Sequence, residues 1–73
     1  MDLVSNAAEI GRIIRLERKQ QGLTQTKLAH YAGVGINFIS QLENGKATAE
    51  LDKTFRVLNV LGFDIIATKR GGK

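Results

Sequence analysis

The chain contains no cysteine and no proline, and it has a single histidine, His30. Without cysteine it has neither disulfides nor thiolate metal sites. One histidine gathers no metal cluster, so neither a metal nor another cofactor is expected. The absence of proline removes the strongest helix breaker, and the scattered Ile, Leu and Ala residues point to helices. No apolar run approaches the roughly 20 residues a membrane helix needs. No basic-then-apolar leader opens the chain either, so the cytoplasm is the default expectation. Catalysis has little to stand on: no nucleophile sits with a base, no glycine loop cradles phosphate, and no carboxylates pair. Gly71-Gly72 reads as tail, and no catalytic residue and no enzyme activity are expected.

What is present is small and basic. The 73 residues suit one domain near the lower limit for a self-sufficient core. With no covalent or metal staple, a second copy of the chain is the expected reinforcement. The net charge of +4 and the pI of about 9.9 favour a polyanionic partner such as nucleic acid.

Periodicity predicts four helices. In the first, about 5–21, Ile10, Ile13, Ile14 and Leu16 recur at helical spacing. Ser5 is the expected N-cap, cations crowd the last turns, and Gly22 is the stop. The second, about 25–32, is capped by Thr24 and ended by Gly33. The third, about 36–43, carries Ile39 and Leu42 inward and stops at Asn44-Gly45. The fourth, about 49–61, takes Thr48 as its cap and Leu51, Phe55, Leu58 and Leu61 as its inward stripe, closing at Gly62. From 63 to 68 the period changes to alternation, which predicts one lone β-strand. Residues 69–73 read as a loose basic tail. Such a strand has no home for its hydrogen bonds within a helical monomer. Val57, Val60, Phe63, Ile65 and Ile66, left over from the inward stripe, are therefore expected to form a dimer seam.

Between Leu23 and Lys46 two short helices are joined by a tight turn at Gly33. This is a helix-turn-helix arrangement, whose second helix enters the major groove of DNA. Ala29 is small enough to let the two helices approach. Gly33 supplies a positive φ. Val34, Ile39 and Leu42 anchor the second helix so that its other face is presented rigidly.

The run GLTQTKLAHYAGVGINFISQLENGK resembles the Xre/Cro family of helix-turn-helix regulators, which includes lambdoid phage repressors. The coincidences are Gln25, Leu28-Ala29, Gly33-Val34, Ile39 and the run Leu42 to Lys46. The segment LDKTFRVLNVLGFDIIA is similar to one branch, the HipB-type antitoxins, in which a C-terminal strand pairs with its twofold mate. The resemblance implies an all-α, lambda-repressor-like fold with that strand pairing across a homodimer. It also implies a repressor of a palindromic DNA operator that binds a HipA-like kinase toxin.

Carried over residue by residue, Thr24 and Gln25 would contact phosphate at the head of the second helix. Asn44 and Lys46 would do so after the third. Ile36, Asn37, Ser40 and Gln41 would face base edges, the two amides suiting adenine and Ile36 a thymine methyl. Arg18 and Glu43 correspond to a buried ion pair in the family, although the residues alone read equally as two surface charges. Phe38 either packs against the second helix or presses on the DNA backbone, and packing is favoured. Gly35 departs from the Ser or Thr common there and brings no side-chain contact. The recognition face also lacks arginine, which predicts an A·T-leaning site or reliance on DNA shape. Two other readings stay open: a module that acts mainly by gripping a toxin, and a phage or restriction-modification control repressor.

Overall fold

The computed structural model describes residues 3–46 and 48–71. Four helices follow in order: α1 (Ala7–Gln20), α2 (Gln25–Ala32), α3 (Ile36–Glu43) and α4 (Leu51–Leu61).

Helix α1 is capped by Asn6 rather than the expected Ser5. The Asn6 side-chain oxygen accepts from the Glu9 amide three residues on, at 2.9 Å, and so satisfies one of the free first-turn donors. Ser5 contributes its backbone instead, donating to the Glu9 carboxylate at 2.7 Å. The helix buries Gly11, Ile14 and Arg18, while Leu16 points outward. Helix α2 has the expected bounds. Thr24 Oγ1 accepts from the Lys27 amide at 3.0 Å, and Gly33 leaves the helix at φ 69°, a left-handed conformation that an L side chain rarely adopts. The Val34 amide then donates back to the Ala29 carbonyl at 3.0 Å, closing the turn that aims α3.

Helix α4 differs from expectation at its start. It begins at Leu51 behind Glu50, whose side chain makes no capping bond, and Thr48 lies outside it. The inward stripe is also rotated, being Thr54, Val57, Leu58 and Leu61. Thr54 takes an interior place because its hydroxyl donates to the Glu50 carbonyl at 2.7 Å and so buries no unsatisfied polar group. Leu51 is left 66% exposed, and Phe55 is exposed as well.

The core is formed by Ile14, Leu28, Ala29, Ala32, Ile39, Leu42, Val57, Leu58 and Leu61, drawn from all four helices. Val57, expected at a dimer seam, is 0% exposed and belongs to this core. Phe63 also packs partly against it, steered there by its amide donating to the Leu58 carbonyl at 2.9 Å.

The expected strand at 63–68 is not formed, and there is no strand among the described residues. The segment beyond Phe63 runs exposed and without regular structure. A strand exists by exchanging backbone hydrogen bonds with a neighbour, and among the described residues none pairs with this segment in a ladder. Of the proposed seam, Val60, Ile65 and Ile66 remain on the surface. No described helix is long and apolar enough to cross a membrane.

Candidate nucleic-acid interface

Helix α3 has two faces of different character. Ile39 and Leu42 are buried and Phe38 is half-buried, so these residues hold the helix down. Ile36, Asn37 and Gln41 are exposed and Ser40 is half-buried beside them. Residues three and four apart share a helical face, which places the four expected base-facing residues on one surface strip. Asn44 continues that strip as the C-cap, and Lys46 follows, also exposed.

The strip is held at its C-terminal end by a polar cluster. Arg18 Nε and Nη2 donate to the two carboxylate oxygens of Glu43 at 2.6 and 3.0 Å, a forked pairing that fixes direction as well as distance. Arg18 Nη1 also donates to the Leu23 carbonyl at 2.8 Å. The side chains are only 10% and 3% exposed, so the surface-charge alternative for this pair does not hold. The interaction joins α1, the loop before α2, and the end of α3.

Gln25 enters the same cluster. Its Nε2 donates to Glu43 Oε1 at 3.1 Å, so the amide expected to meet phosphate is half-buried and held by the recognition helix. No sequence signal reveals this bond, because its partners lie 18 residues apart and meet only on folding. Thr24 is exposed, with its hydroxyl engaged as the α2 cap.

The structure also brings to this region residues that were not expected there. Lys53 Nζ on α4 lies 5.7 Å from the centre of the Phe38 ring, and Glu50 Oε1 is 3.6 Å from the same ammonium. Gly11 lets α1 lie directly on the end of α3. A Cβ built on it would stand 2.2 Å from the Leu42 carbonyl oxygen. A glycine inside a helix, where no stop is wanted, was the available signal for such an approach.

With this geometry in place the comparison with known proteins is direct. The helix-turn-helix family model matches residues 14–66. The chain belongs to the helix-turn-helix family. It is 47% identical over 66 residues to an uncharacterized HTH-type transcriptional regulator, y4mF, of Sinorhizobium fredii, covering 88% of this chain and 87% of that protein. Among solved structures, the helix-turn-helix fold superposes on a HipB–O4 20mer complex with a TM-score of 0.86, at 24% identity over 96% of this chain and 99% of that one. A HipA–HipB–O2–O3 complex gives 0.87 at 24% identity, again over 96% and 99%. A HipB–O1–O2 complex gives 0.85 at 25% identity over 94% and 100%. The similarity to HipB runs through the whole architecture, including the Xre-type order of helices.

Proposed function

We propose that this helix-turn-helix protein is a sequence-specific DNA-binding repressor that acts as a homodimer and, as a HipB-like antitoxin, also binds a HipA-like kinase toxin. The observation that carries the DNA reading is the two-faced α3. Its anchored side reaches the core, and its opposite side presents two amides and an isoleucine as a continuous strip. Asn37 and Gln41 pair with adenine edges, Ile36 meets a thymine methyl and Ser40 adds a flexible contact. Lys46, Asn44, Thr24 and Gln25 hold phosphates on either side. The positive net charge draws the chain to the duplex before any base is read.

The antitoxin reading rests on the shared architecture with HipB, which is solved together with HipA. Homodimerisation rests on what one copy leaves uncovered: Val60, Ile65 and Ile66 are exposed, and the segment after Phe63 has no ladder partner among the described residues. Pairing of two such segments across a twofold axis would satisfy both edges and bury those side chains. Ile66→Asp should then shift the protein from dimer to monomer in analytical ultracentrifugation. Unchanged sedimentation would place the seam elsewhere.

Gel-shift titration tests the recognition face. Asn37→Ala and Gln41→Ala should each lose about 1–3 kcal/mol of discrimination at one base pair. Lys46→Gln should weaken operator and unrelated duplex by the same factor. Wild-type affinities in all three variants would show that the strip does not face DNA.

A further inference from the structure

We propose that Lys53 and Arg56, on helix α4, form a second phosphate clamp that grips the backbone on the side of the recognition helix opposite Gln25. The proposal rests on the DNA-binding reading above and adds a flank to it. Both residues stand on one face of α4, being three positions apart, and each reaches the helix-turn-helix unit at a separate point. Lys53 lies 5.7 Å from the Phe38 ring centre. An added Cβ on Gly33, in the turn that opens α3, would meet Arg56 Nη1 at 3.5 Å. The two cations thus line the turn and the adjoining first half of α3.

Phe38 sits one residue after Asn37 and three before Gln41, so its side chain borders the base-facing strip. Gln25 meets α3 through Glu43, at the other border. A helix lying in the major groove has a sugar-phosphate strand along each wall, and it is best fixed when both walls are held. Gln25 and Thr24 hold one wall. Without Lys53 and Arg56 the other has only the residues after α3.

The chemistry of the pair suits this role. Arg56 is exposed and makes no ion pair among the described residues. Lys53 is half-exposed, and the carboxylate it pairs with among the described residues, Glu50 at 3.6 Å, is itself exposed. A surface pair of that kind is worth little and yields readily to a phosphate. The Phe38 ring does more for Lys53 than attract it weakly. It restrains a flexible side chain beside the groove and so lowers the entropy lost on contact.

The test is the salt dependence of binding by the full chain. The probes are a duplex from upstream of its own coding sequence and an unrelated duplex of equal length. Lys53→Gln and Arg56→Gln should each lower the slope of log K against log salt by about one. Each should weaken both duplexes by a common factor of about fivefold near 0.15 M salt. Phe38→Leu, which keeps an apolar side chain against the core, should reproduce part of the Lys53 loss and reduce, by that part, the further effect of Lys53→Gln. Thermal melts should be unchanged for the two charge variants, because both side chains are at the surface. If wild type fails to bind either duplex, the DNA reading itself falls. If wild type binds with a steep salt slope and both glutamine variants keep that slope, the clamp is overturned while the DNA reading stands. Loss confined to a protein complex, with DNA binding intact, would equally overturn it and assign the pair to an acidic protein surface.

Discussion

Replacing Glu43 with alanine should destabilise the protein by about 3–5 kcal/mol, the usual cost of stranding one member of a buried ion pair. A chain of this length has roughly 4–11 kcal/mol of stability in all, so the variant should melt far below wild type or fail to fold. The size follows from how much the one carboxylate holds. Arg18 reaches it through two nitrogens and Gln25 through a third, and the Arg18 guanidinium has little water to turn to once the carboxylate is gone. Glu43→Gln keeps the shape and an acceptor but removes the charge, and should fall between. The double variant Arg18→Met with Glu43→Met should recover much of the loss, because it leaves no charge unpaired in the interior. Urea denaturation of the four proteins decides the matter. A loss below about 1 kcal/mol in Glu43→Ala would put the pair in the class of screened surface bridges. The double variant serves a second purpose: a folded protein lacking the cluster reports what it does for DNA. Gln25 is then free of α3, and affinity should drop while the melting temperature stays near that of wild type.

The second large effect is expected at Gly11. Alanine is the better helix former by about 1 kcal/mol, so on local grounds Gly11→Ala should stabilise α1. The structure reverses that sign. The new methyl would stand 2.2 Å from the Leu42 carbonyl oxygen and 3.0 Å from that of Glu43. Both obstacles are backbone, which cannot swing aside as a side chain does, so α1 and α3 must separate. Overpacking of this kind costs about 1–3 kcal/mol beyond the propensity gain. Because the contact lies where α3 ends, the variant should also bind operator more weakly than its loss of stability explains. A chemical-denaturation midpoint equal to or above that of wild type would show that the two helices are not in this close contact.

The two residues illustrate different degrees of legibility. Arg18 and Glu43 were suggested by a family resemblance, yet their charges alone read equally well as solvent-exposed. Only burial against α1 and α3 turns them into a structural joint. Gly11 carried a faint signal, a glycine where a helix should continue, but nothing local says what approaches it. The rotated stripe of α4 is a third case. Leu51 and Phe55 recur at the right spacing, and a spacing rule prefers them to Thr54. The choice went to threonine because its hydroxyl is satisfied within its own helix, while Leu51 and Phe55 are left exposed to solvent.

By itself the sequence determined the four helices, the bounds of α2 and α3, the left-handed turn at Gly33 and the strip formed by Ile36, Asn37, Ser40 and Gln41. These depend on caps, stops and periodicity within a dozen residues, where local backbone preference and apolar spacing agree. The tertiary structure alone decided that Val57 is core, that Gln25 is held by Glu43, that Arg56 lies by the Gly33 turn and Lys53 by Phe38, and that residues 63–68 form no strand among the described residues. Each of those depends on a partner distant along the chain or absent from it, and the spacing of residues along one segment carries no record of what folds against it.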